Sequence, residues 1–189
     1  MTQNGYPFQF IGSNTVGADK YLRETLVYVF QSEKSGHRYQ VNIECYAEHL
    51  CGLKFFDLTT DTRTGKFSNL SSTYEPRTIF RTVAAIALDA YRRDPLASFF
   101  LVGAADSRDR QTITTRRFRI YATFVGNLNL THLFRIIELK DQSMIVLLNI
   151  SISASKYAMA SFMYGWIRGT MMAMKFSMPS SSTTAVLMT

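Results

Sequence analysis

Nine arginines, Arg77, Arg81, Arg92, Arg93, Arg108, Arg110, Arg116, Arg117 and Arg119, lie between Pro76 and Val125, against the four acids Asp89, Asp94, Asp106 and Asp109. Nine minus four gives +5 of the chain's formal +7, so about a quarter of the length carries most of the net charge. A guanidinium is a planar fork that can hold a phosphate through two N–H groups at once. A positive field concentrated in this way is therefore the footprint of a polyanion partner, although the solvated outer face of two ordinary elements gives the same pattern. The residues that fit phosphate contacts are Arg108, Arg116 and Arg119, joined by Arg77, Arg81 and Arg92. Tyr121 or Tyr91 would supply an aromatic face for stacking.

A second constellation is Cys45, His49 and Cys51. Its spacing matches no standard zinc pattern and lacks a fourth ligand, so two buried thiols on a strand face is the preferred reading and no metal is expected; if Ala47–His49 is a three-residue hairpin loop, Cys45 faces Cys51. Two cysteines are also too few for a disulfide scaffold. No Gly-rich phosphate loop, nucleophile-elbow serine or zinc-protease helix occurs, so no cofactor or catalytic residue is assigned. His37, His49 and His132 fall on turns or strand starts, where a histidine is more often a surface residue than a general base.

These groups need elements to position them. At 189 residues, with 47% hydrophobic and 13% aromatic content, the chain can build one core of ordinary size. Tyr6–Ile11 alternates aromatic and polar residues and reads as a first strand, and Gly12–Lys20 reads as a turn-rich loop. Leu26–Phe30 and Arg38–Tyr46 flank a hairpin turn at Ser32–His37, and Leu50–Leu58 follows the short loop Ala47–His49. Thr59–Thr73 is a polar loop. Pro76 suits the first turn of a helix, and apolar residues from Ile79 to Tyr91 recur at spacings of three and four up to the stop at Asp94-Pro95. Ser98–Val102 is a short apolar strand, and the runs Leu133–Leu139 and Ser143–Ile150 form a closing hairpin.

Asp106–Val125 divides local reasoning. At helical period Ile113, Ile120, Tyr121 and Phe124 share a face bordered by Arg110 and Arg117, leaving Arg108, Arg116 and Arg119 outward. At period two, Phe118, Ile120, Ala122 and Phe124 alternate with Arg117, Arg119, Tyr121 and Thr123.

The order of these segments resembles a family of small uncharacterised bacterial proteins, a domain of unknown function. Tyr6–Phe10, Val83-Ala84 with Ile86, Pro95, Gly103, and Arg110, Arg116, Arg117, Phe118 and Tyr121 carry the resemblance, which covers about residues 6 to 148. It implies that the Arg-rich segment is helical, and it supplies no chemistry. The expected fold is α+β: an antiparallel β-meander sheet with two helices packed on one face and a closing C-terminal hairpin, in a single domain over 1–150.

From residue 142 onward the composition changes. This stretch contains no Asp or Glu, only Lys156, Arg168 and Lys175 as basic residues, and eight of the nine methionines. Residues 151–189 are expected to be a disordered or non-native extension. A membrane span over Tyr157–Phe176 is disfavoured by Arg168 near its middle, and an interfacial helix is the third alternative. The polar N-terminus lacks signal-peptide character, so a cytoplasmic protein is expected.

The functional expectation is a non-enzymatic module that grips nucleic-acid phosphates, although no recognised nucleic-acid-binding signature appears. One alternative is a protein-interaction module of a two-component bacterial system with an acidic partner, using an exposed strand edge. Another is a small metal-independent ribonuclease-like toxin, in which Arg and Tyr stabilise charge at the scissile phosphate.

Overall fold

A computed structural model describes residues 5–15, 22–59, 75–105, 109 and 113–152. The chain divides into two units, Met1–Ser151 and Ile152–Thr189, and the first holds the sheet and both helices. The tail, including the Tyr157–Phe176 run, lies outside the described residues, as do Arg108, Arg110 and most of the Thr59–Thr73 loop. Among the described residues no helix is long and apolar enough to cross a membrane.

The protein is mixed α/β, with a seven-stranded sheet and two helices. The strands are β1 (Phe8–Asn14), β2 (Leu22–Gln31), β3 (Arg38–Tyr46), β4 (Leu50–Asp57), β5 (Ser98–Val102), β6 (Phe134–Leu139) and β7 (Met144–Asn149). The helices are α1 (Pro76–Arg93) and α2 (Arg116–Gly126). Sheet order is β1-β2-β3-β4-β5-β7-β6. Five of the six pairings are antiparallel, and β4 with β5 is parallel. A meander therefore does not describe the whole sheet. After β4 the chain crosses over through α1 and returns beside β4 in the same direction, the connection a parallel pair requires. β7 then lies between β5 and β6, although β6 comes first in sequence.

Side-chain alternation along the strands builds the core. Leu26, Tyr28 and Phe30 of β2, Tyr39, Val41 and Ile43 of β3, and Leu53 of β4 share one buried cluster with Phe99, Leu101, Ile145 and Leu147. Onto this cluster α1 lays Ile79, Val83, Ile86 and Ala90, and α2 lays Phe118 and Val125. Phe80 of α1 meets Tyr121 and Phe124 of α2, and Phe55 of β4 meets both Phe80 and Tyr121.

Local chemistry sets the helix ends. Pro76 occupies the first turn of α1, where its missing N–H has no intrahelical partner to lose. The preceding Glu75 is buried and accepts hydrogen bonds from Ser32 Oγ at 2.7 and 2.8 Å and from the Tyr6 hydroxyl. At the other end, the Asp94 N–H donates to Ala90 O before Pro95 stops the helix.

In the Arg-rich segment α2 starts at Arg116, while residues 106–108 and 110–112 lie outside the described residues. Thr115 is the N-cap, its Oγ1 accepting from Phe118 N at 3.1 Å and donating to Gly103 O at 2.8 Å. A hydroxyl that satisfies an orphan helix N–H while anchoring to a neighbouring strand defines a firm start. Ile113 is consequently outside the helix and 85% exposed, not on a buried face.

Candidate functional site

Five of the six arginines the sequence singles out for phosphate contact are exposed on the two helices: Arg77, Arg81 and Arg92 on α1, and Arg116 and Arg119 on α2. On α1, helical spacing puts Arg77, Arg81 and Arg92 on a stripe opposite the buried Val83, Ile86 and Ala90. On α2, Arg116 and Arg119 lie opposite the buried Arg117, Phe118 and Val125. Because both helices pack on the same sheet-facing cluster, both stripes belong to the outer surface of the helical layer. No acid among the described residues pairs with the guanidinium of Arg77, Arg81, Arg92 or Arg116. The Arg119 guanidinium donates to Thr114 O at 2.7 Å, and Asp109 Oδ1 accepts from Arg116 N at 2.8 Å; both contacts fasten the start of α2.

Tyr121 is placed differently from an open stacking platform. It is half-buried, with its ring centroid 5.6 Å from Phe80 and 6.1 Å from Phe55, and burial pushes its hydroxyl pKa up while the nearby Arg117 pulls it down. Tyr91 likewise packs edge-on against Phe134. Arg117 is only 6% exposed, on the buried side of α2 with Phe118 and Val125. Arg93 turns towards the sheet, with its guanidinium 3.9 Å from the Phe10 ring centroid and 3.4 Å from Asp89.

A second site was only partly visible in the sequence. Cys45 and Cys51 are register partners across β3 and β4, and the Cys51 thiol donates to Cys45 Sγ at 3.3 Å. Between these strands, Ala47–His49 forms a single 3-10 turn in which Glu48 and His49 both have positive φ, 57° and 59°. Side chains without a glycine's freedom reach this region only when surrounding contacts hold them there. One such contact is His49 Nδ1 to Asp94 Oδ2 at 2.7 Å, which links the hairpin to the C-cap of α1. His49 is therefore engaged with a carboxylate, not a lone surface histidine. His37 is similarly bound to Asp57 at 2.6 Å, whereas His132 is exposed.

Cys45, Cys51, His49 and Asp94 line one cavity of about 410 Å³, together with Arg23, Glu24, Arg93, Phe10 and Tyr46. The S–H of Cys51 stabilises a Cys45 thiolate and lowers its pKa, despite opposing contributions from burial, Glu24 and Asp94. Donation to Cys45 and burial push Cys51 the other way. Among the described residues no group of three or more His, Cys, Asp or Glu side chains is arranged to hold a metal ion.

A third feature is an apolar cavity of about 150 Å³ between α1, α2 and the sheet, lined by residues such as Val83, Ala87, Leu88, Phe124 and Phe134. It has the character of a packing gap beneath the helices. Comparison with protein-family models, with curated proteins and with solved structures finds no match.

Proposed function

We propose that the protein is a module that binds nucleic-acid phosphates through the outer surface of its two helices. The observation carrying this reading is the set of exposed guanidiniums at Arg77, Arg81, Arg92, Arg116 and Arg119, none with an acid partner among the described residues, although that of Arg119 donates to Thr114 O. An unpaired exposed arginine keeps its donors available, and phosphate contacts made by such groups release counterions. The packed rings of Tyr121 and Tyr91 leave the phosphate backbone, not base stacking, as the main target, so little sequence preference is expected.

Binding of the full chain to a labelled mixed-sequence duplex, measured between about 50 and 200 mM salt, tests this reading. The wild-type protein should lose affinity steeply as salt rises. The Arg77→Gln, Arg81→Gln, Arg116→Gln, Arg119→Gln variant should bind more weakly, with a salt slope flattened by about 0.9 for each duplex phosphate that is no longer neutralised. Equal affinity for variant and parent, or binding indifferent to salt, would remove the proposal.

Sheet topology favours the interaction-module alternative, because β1 and β6 are the two terminal strands and offer edges beside the charged helical layer. An acidic protein as partner predicts co-purification that survives nuclease treatment.

A further inference from the structure

We propose that Cys45 and Cys51 form a dithiol that reduces a low-molecular-weight disulfide entering the cavity between β2, the β3–β4 hairpin and the end of α1, with Cys45 attacking and Cys51 resolving. Three observations carry this inference independently of the arginine surface. The two sulfurs are 3.3 Å apart on register-paired residues, so a bond of about 2.05 Å needs only a small approach of the side chains. Access is asymmetric: Cys45 is half-buried at the cavity wall, and Cys51 is 2% exposed behind it. Both line a cavity of about 410 Å³ whose wall also carries Arg23, Glu24, Arg93 and Asp94.

This asymmetry assigns the roles. Only Cys45 can meet a disulfide from solution, and the thiolate is the attacking species, which the S–H donated by Cys51 favours at Cys45. The opposing influences are burial, Glu24 and Asp94, while Arg23 and Arg93 line the same cavity with the other sign. A weak contact of Cys45 Sγ with Ile43 O at 3.9 Å is the other polar neighbour of that sulfur. A cavity bearing both signs of charge suits a disulfide that carries carboxylate and ammonium groups, such as glutathione disulfide.

The exchange balances without a further reagent. Cys45 loses its proton to solvent and its thiolate attacks one sulfur of RS–SR, forming Cys45–S–S–R and releasing RS⁻, which takes a proton from solvent. Cys51 then loses its proton and attacks Cys45 Sγ, forming the Cys45–Cys51 bond and releasing the second RS⁻, which is protonated in turn. Two electrons pass from the protein dithiol to the substrate disulfide, which leaves as two thiols.

The test uses the reduced full-length chain. Limiting iodoacetamide, followed by peptide mapping, should label Cys45 at least about tenfold faster than Cys51. Stoichiometric glutathione disulfide should convert the wild-type protein to a form lacking two hydrogens and holding no adduct. Cys51→Ser should instead retain one glutathione on Cys45, and Cys45→Ser should react at least about tenfold more slowly than wild type. Excess reduced glutathione should restore the dithiol. Any of three results overturns the proposal: equal labelling of both thiols, no disulfide formed in the wild-type protein, or a disulfide that excess glutathione leaves intact, which marks a structural bond. After each rate is divided by that of free cysteine, glutathione disulfide should outpace neutral bis(2-hydroxyethyl) disulfide by about tenfold. Equal normalised rates would overturn the substrate class.

Discussion

Gly103→Ala should destabilise the protein far more than its single added methyl suggests, because Gly103 is where β5 meets the start of α2. A Cβ built there would lie 2.5 Å from Phe118 N, 2.6 Å from Thr115 Oγ1 and 2.8 Å from Phe118 Cα. Two of these are helix backbone atoms, which no rotamer change can move aside. The clash also falls on the hydroxyl that caps α2 and bonds Gly103 O, while Gly103 N and Thr115 N are both held by Ser143. Overpacking costs about 1–3 kcal/mol, and loss of a threonine cap adds about 1 kcal/mol, so a total of about 2–4 kcal/mol is expected. Gly126→Ala is the control. It ends α2 with nothing within 4 Å of a built Cβ, and a glycine-to-alanine change there should stabilise by up to about 1 kcal/mol. Urea unfolding with an unchanged m-value reads both variants, and amide exchange at Phe118 should accelerate in Gly103→Ala alone. A Gly103→Ala cost below about 0.5 kcal/mol would show that the start of α2 shifts freely, and the outward placement of Arg116 and Arg119 would lose its physical basis.

Val83 is 3% exposed and borders the 150 Å³ cavity, so Val83→Ala should cost about 1–3 kcal/mol by urea unfolding, and a near-neutral value would refute the packing of α1 on the sheet. Tyr28 is fully buried and donates to Asp89 at 2.9 Å; burial, and then the Asp89 carboxylate, raise its pKa well above the ordinary 10.0. Above about pH 10 the unfolded chain loses this proton while the folded chain keeps it, so stability should fall as pH rises past that point. Tyr28→Phe should cost about 1 kcal/mol near pH 7 and flatten the alkaline decline, and an unchanged decline would place its source elsewhere.

The helix over residues 76–93 was legible in the sequence because its signals are local: Pro76 starts it, apolar spacing of three and four runs through it, and Asp94-Pro95 ends it. Arg38–Tyr46 and Ser98–Val102 were equally plain, whereas the facing of Cys45 with Cys51 hung on Ala47–His49 being a three-residue loop, the register that β3 and β4 adopt. The start of α2 was harder, since helical and strand periods both fit the Arg-rich segment, and the Thr115 cap that decides between them bonds to Gly103, twelve residues away.

Residue order thus determined the helix over 76–93, its charged face and the strands over 38–46 and 98–102, since these follow from contacts within a few positions, but it left the segment holding α2 open between helix and strand. Only the tertiary structure decided that β5 runs parallel to β4 and that β7 lies between β5 and β6, because the pairing order depends on which apolar faces can be buried together. It also decided that Tyr121 packs between Phe55 and Phe80, and that Asp94 reaches His49 across 45 residues to draw the hairpin, both thiols and the end of α1 around one cavity. No periodicity encodes a contact of that range. It exists only once the core has brought the two chain segments together.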